Sequence, residues 1–134
     1  MEIKTSIENG NVPVTVMYII GNMDSKSYEA FSTKAHELIH DGARYILVDL
    51  TEAPFISSAG LRAMHGILKK LRTMYPDNDL SESEFKKKIG RGAYKSPYIK
   101  LLNLSKDTQT AFTLSGFDMF IETYTDKATA IASF

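Results

Sequence analysis

Two adjacent serines, Ser57 and Ser58, stand in the stretch FISSAGLRAMHG from Phe55 to Gly66, between an apolar run and a pattern with helical spacing. A serine hydroxyl in such a place can attack a substrate, accept a phosphate, or cap the helix. Attack needs a base, and His65 is the nearest histidine in sequence; on one helix it stands about two turns from Ser58, roughly 10 Å along the axis. The GxSxG frame of a nucleophile elbow is also missing, so a hydrolase triad is set aside. His36 and His40, four residues apart, could in principle share a metal, but His40 sits beside the helix end. They read as two solvated histidines, and no metal or cofactor is expected. Gly90 and Gly92 lie in GRGAY, and no Lys-Ser or Lys-Thr directly follows either glycine as a phosphate-cradling loop requires, so nucleotide chemistry lacks support.

Capping and phosphate acceptance remain. Serine is among the preferred N-cap residues because its oxygen accepts a hydrogen bond from a free amide of the first turn, worth about 0.5–2 kcal/mol. Either Ser57 or Ser58 fits that role, with the helix starting at about Ala59, and on composition alone capping is the stronger reading. A phosphate here would also meet free amides and the positive end of the helix dipole. The folded domain could then carry about −1.5 to −2 extra charge, and phosphorylation would alter a surface without melting the fold.

The elements that must position these serines follow from periodicity. Val12 to Ile20 alternates with period two and is rich in β-branched residues, which predicts a strand. Tyr28, Phe31, Ala35, Leu38 and Ile39 place one apolar stripe on a helix ending near Asp41-Gly42. Tyr45 to Leu50, YILVDL, is a nearly unbroken apolar run of the kind that fills a central strand. Leu61, Met64, Leu68 and Leu71 restore helical spacing, with Lys69, Lys70 and Arg72 suiting the negative helix end.

The order breaks at Pro76, and the polar stretch PDNDLSESEFKKKIGRGAYKSP reads as an insertion. Beyond it, the pattern predicts a strand over Tyr98 to Leu104, a helix over Thr108 to Leu114 closed by Gly116, a short strand over Met119 to Glu122 and a terminal helix from Asp126. Alternation of this kind argues for an α/β domain with a mixed, mostly parallel β-sheet of about four to five strands and about four helices.

Composition excludes several classes. A chain of 134 residues, 43% hydrophobic, fits one domain spanning residues 1–134. Sixteen basic and sixteen acidic residues leave no overall field to hold nucleic acid or an anionic membrane. The chain has no cysteine, hence no disulfide frame, thiol nucleophile or thiolate zinc site. MEIKTSIENG lacks the basic start and apolar run of a leader peptide, and no apolar stretch is long enough to cross a bilayer. A cytoplasmic protein is expected.

Around the serines the chain reads DLTEAPFISSAGL, which resembles the phosphorylation-site pattern of STAS domains, and among them of bacterial anti-sigma factor antagonists. Gly21-Asn-Met-Asp24 is similar to the element ending that family's second strand, and Leu114-Ser-Gly-Phe-Asp118 to its late Leu-Ser-Gly element. The resemblance spans nearly the whole chain and implies a single STAS domain, not an enzyme, that binds an anti-sigma factor with serine kinase activity when unphosphorylated. Its register assigns the phosphoacceptor to Ser58, with Ser57 as second choice. Asp24, Ser57, Ser58, Ala59, Gly60, Leu61 and Arg62 are the expected partner-binding residues, with Asp24 near Ser58. A serine phosphatase would restore the binding form; no direct nucleic acid or membrane contact is expected, and the chain would be a monomer or weak dimer.

The chain departs from the family pattern in three places. Ser57 stands where the antagonists usually carry Asp. Arg62 replaces a small residue, and as a cation it would neutralise part of the charge of phospho-Ser58. The insertion over residues 75–97 has an acidic half, Asp77 to Glu84, and a basic half, Lys86 to Lys95. It reads as a solvated loop or added helix, or more sharply as a partner-specific arm with Phe85, Ile89, Tyr94 and Tyr98 as anchors. The alternative function is a STAS scaffold or regulatory subunit of another assembly, such as a transporter or signalling complex, in which Ser58 is a helix cap.

Overall fold

The computed structural model describes residues 1–76 and 95–134. Its elements are β1 (Glu2–Asn9), β2 (Pro13–Ile20), α1 (Tyr28–His40), β3 (Ile46–Glu52), α2 (Ser58–Met74), β4 (Ile99–Leu102), α3 (Lys106–Leu114), a 3-10 turn (Phe117–Met119), β5 (Glu122–Tyr124) and α4 (Lys127–Ala132). The five strands form one sheet in the order β1-β2-β3-β4-β5. β1 runs antiparallel to β2, and the other neighbours are parallel. The expected mixed, mostly parallel α/β architecture is therefore present.

Two differences from the sequence-based expectation concern strands. β1 is absent from that expectation because it alternates only weakly, with Ile3 and Ile7 its only apolar residues. The signal that marks it is Gly10-Asn11 between Ile7 and Val12, turn-favouring residues in the short connection from β1 to β2. The strand expected over Met119 to Glu122 is instead a 3-10 turn followed by β5. Gly116, at φ +81°, ends α3 in the left-handed conformation and folds the chain so tightly that pairing with β4 begins only at Glu122.

The sheet buries both faces. On one, Met17, Ile19, Ile46, Val48, Leu50, Ile99 and Leu101 meet Phe31, Ala35 and Ile39 of α1, Met64, Ile67 and Leu71 of α2, and Phe112 of α3. On the other, Val14, Val16, Leu47 and Leu102 are covered by Ala130 with Ile131 and Phe134, from α4 and the chain end. The continuous apolar run of β3 is thus explained, since successive side chains enter opposite layers. Lys100 is the charged exception in the second layer. Only 4% exposed, it donates from Nζ to the Ser133 backbone oxygen at 2.9 Å and Oγ at 3.0 Å, with Glu122 at 3.7 Å.

Most of the expected insertion, including Phe85, Ile89 and Tyr94, lies outside the described residues. Tyr98 corrects the sequence reading: it is not an exposed anchor but 4% exposed in the core. Its ring lies 5.8 Å from Tyr45 and 6.0 Å from Tyr75, with the Arg44 guanidinium above all three tyrosines. The helix preceding the insertion and the strand following it are thereby pinned together.

Candidate functional site

The parallel strands β2, β3 and β4 end at the same edge of the sheet, and the loops that follow them build the serine site. The loop after β2 starts at Gly21, whose φ of +96° strongly favours glycine. Its amide donates to the Glu52 carbonyl at 2.9 Å, and the Met23 amide donates to the Phe55 carbonyl at 2.9 Å. The Ser57 amide donates back to the Met23 carbonyl at 2.8 Å. A parallel bridge between Met23 and Ile56 therefore carries the sheet pairing past the ends of β2 and β3, right up to the serines.

Gly60 shows how close that junction is. A Cβ there would lie 2.7 Å from the Met23 Sδ and 2.9 Å from the Ile56 Cγ2. The glycine of SSAGL is needed for contact between helix and loop, a role the sequence reading did not assign. The loop after β4 braces the other side. Asn103, at φ +57°, donates from Nδ2 to the Thr51 Oγ1 at 2.8 Å. The Ser105 hydroxyl donates to the Pro54 carbonyl at 2.8 Å while accepting from the Thr108 amide that it caps.

The structure separates the two serines. Ser57 is the N-cap of α2, with extended backbone angles, and its Oγ accepts from the Gly60 amide at 3.1 Å. Ser58 is the first helical residue; its side chain is exposed and makes no hydrogen bond among the described residues. The alternative in which Ser58 is the cap is thereby corrected. Serine at position 57 also preserves what aspartate would do there, since both are favoured N-caps.

Of the other expected site residues, Asp24 is exposed on the adjoining loop. Its Oδ1 accepts from the Ser27 amide at 2.8 Å, the Lys26 amide at 2.9 Å and the Ser27 hydroxyl at 3.0 Å. These bonds hold its carboxyl below the usual carboxylate range. The loops of Asp24 and Ser58 are joined, but the carboxylate is turned to its own backbone. Arg62 is exposed one helical turn beyond Ser58, whereas Gly60 and Leu61 are buried and Ala59 is half-buried. Phe55, which sequence reasoning used only as a motif position, is 50% exposed and adds an aromatic face beside the serines.

His65 turns away from Ser58. Its ring stacks on Phe117 at 5.1 Å and tilts against Phe120 at 5.8 Å, in a groove between α2 and the 3-10 turn. Burial and then the nearby Lys69 lower its pKa. His36 to His40 spell His-Glu-Leu-Ile-His, the H-E-x-x-H order of zinc-protease helices, a match the sequence reading passed over. Both rings are exposed on α1, and the His36 Nδ1 lies 2.7 Å from the Ser32 carbonyl oxygen. Among the described residues no group of three or more side chains is placed to hold a metal. No helix among them is long and apolar enough to cross a membrane.

The serine junction, the Met23–Ile56 bridge and the helices around them fall within residues 4–74, which match the family model of the STAS domain. The chain belongs to the STAS domain family. Solved structures share the fold over nearly the whole chain. This STAS domain is similar to an anti-sigma factor antagonist from Mycobacterium paratuberculosis, with 17% identity, a TM-score of 0.68, and 98% of this chain and 93% of that one covered. It is also similar to the anti-sigma factor antagonist SpoIIAA in its unphosphorylated form, with 16% identity, a TM-score of 0.62, and coverage of 97% and 94%. The Bacillus cell fate determinant SpoIIAA in its phosphorylated form gives 18% identity, a TM-score of 0.58, and coverage of 94% and 96%. A sequence comparison with curated proteins gives no match.

Proposed function

We propose that this STAS domain, spanning residues 1–134, is a cytoplasmic anti-sigma factor antagonist and not an enzyme. It binds an anti-sigma factor with serine kinase activity while Ser58 is unmodified and is released when Ser58 is phosphorylated. The observation that carries the reading is the division of labour between the serines: Ser57 holds the helix start, and the Ser58 hydroxyl stands exposed beside it. A phosphate on Ser58 therefore leaves the cap intact. The partner meets Phe55, Ser58, Arg62 and Asp24 at the surface, with Ser57 and Ala59 at its edge and Gly60 and Leu61 seating the helix behind.

The switch is electrostatic and steric. A group of about −1.5 to −2 charge, set where a partner packs, introduces desolvation and like-charge penalties against an acidic surface. The N-terminus of α2 and Arg62, one turn along the same helix face, offset that charge within the free protein. Phosphorylation then lowers affinity without unfolding the domain, and a serine phosphatase restores the binding form.

Affinity capture from native lysate with the wild type, Ser58→Ala and Ser58→Asp tests the reading. An anti-sigma kinase should be retained by the first two and lost by the third. Equal capture of a non-kinase assembly by all three would replace the antagonist with a STAS scaffold or regulatory subunit of another assembly.

A further inference from the structure

β1 is the first strand in the sheet, and among the described residues β2 is its only strand partner. Among the described residues no other element makes substantial contact with it, so its outer row of backbone amides and carbonyls is a template for another strand. One residue on it is out of keeping with a solvated edge. Ile7 is 69% exposed, although by alternation it lies on the same face as Ile3, which packs against the main core. Beside Ile7 is an apolar cleft of about 490 Å³, lined also by Thr5, Leu38, Ala43 and Tyr45.

We propose that two copies of this chain associate through β1, running antiparallel about a two-fold axis that places Ser6 opposite Ser6 of the second copy. The inference goes beyond the antagonist reading and does not depend on it. Its basis is the charge sequence of β1, Glu2-Ile-Lys-Thr-Ser-Ile-Glu8-Asn. A two-fold axis perpendicular to the sheet must pass beside a single residue, because an axis between residues would set opposite faces against each other. Few registers then remain, and the charges discriminate among them.

Centred on Lys4, the register puts Lys4 against its own copy. Centred on Thr5, it puts Glu2 against Glu8 at both ends. Centred on Ile7, it shortens the ladder and leaves Lys4 with nothing opposite. Only the register centred on Ser6 keeps a long ladder, from Ile3 to Asn9, and sets Lys4 opposite Glu8 at both ends. Opposite charges in directly facing positions stabilise a strand pair, and like charges destabilise it. In this register Ile7 faces Thr5 of the second copy and lies diagonal to its Ile7, which covers the exposed apolar residue and the mouth of the cleft.

The opposing interpretation is that Lys4 and the two glutamates keep the edge solvated and single. Sedimentation equilibrium of the full chain distinguishes the two, using the wild type, Lys4→Glu, Glu8→Lys and the double exchange, each checked by circular dichroism for native fold. The wild type should show a concentration-dependent dimer. Each single exchange should weaken it about tenfold by creating like-charge pairs at both ends, and the double exchange should restore it. Glu8 also lies 3.5 Å from Lys127, but that pair is not rebuilt by changing Lys4, so rescue reports the contact between copies alone. A wild type that stays monomeric up to about 1 mM, or a double exchange no better than the single ones, would overturn the proposal.

Discussion

At the scale of single residues, the two serines of FISSAGL divide tasks that sequence alone leaves undivided. Ser57 satisfies the Gly60 amide, so Ser57→Ala should lower stability by about 1 kcal/mol. Ser58 has no such bond, and Ser58→Ala should leave stability within about 0.5 kcal/mol of the wild type. Denaturant titrations of the two variants check this; equal losses would mean that the caps are shared. Arg62 belongs to the same scale. With Ser58 phosphorylated, the guanidinium one turn away favours the dianion, so Arg62→Ala should raise the second phosphate pKa above its value in the parent. A phosphorus-NMR titration reads that shift directly, and no change would remove Arg62 from the switch.

Between elements, the site depends on three loops laid side by side at the ends of β2, β3 and β4. The pattern of strands and helices made β2, α1, β3 and α2 legible, because each carries a clear period of apolar residues. It could not show that Met23 pairs with Ile56, or that Asn103 and Ser105 of a distant loop bond to Thr51 and Pro54, since these contacts join residues far apart in sequence. Gly60 is where this packing is tightest. Gly60→Ala has no unfavourable φ to blame, yet its methyl would press on Met23 and Ile56. A loss of about 1–3 kcal/mol is expected, together with disturbed amide signals from both loops in a two-dimensional NMR spectrum. A change confined to α2 would show that the loops are not coupled through this contact.

For the molecule as a whole, stability integrates groups far from the serines, and His65 gives it a pH dependence. The aromatic groove holds the ring partly out of water, so its pKa in the folded state is below the usual value of about 6.5. As pH falls through that value the unfolded chain takes up a proton before the folded one does, and stability drops; above it both forms are neutral and the contribution is fully present. The wild type should therefore lose stability as pH falls below about 6.5, and His65→Asn should flatten that slope. The carboxyls of Asp24 and Asp126, lowered by hydrogen bonds within their own turns, act in a separate, more acid window. Identical slopes in wild type and variant would show that the stacked ring carries no linkage.

The sequence by itself determined the α/β alternation, the position of the serine pair at a strand-to-helix junction and the left-handed turn at Gly116. Each of these is a local property, written in side-chain period or in the conformations that one residue permits. Tertiary structure decided which serine caps α2, because that depends on where the backbone leaves β geometry after being paired to Met23. It also buried Tyr98 between Tyr45 and Tyr75, gave Lys100 its partners in Ser133 and Glu122, and made an edge strand of β1. These outcomes depend on neighbours brought together from distant parts of the chain, and no periodicity within one segment encodes them.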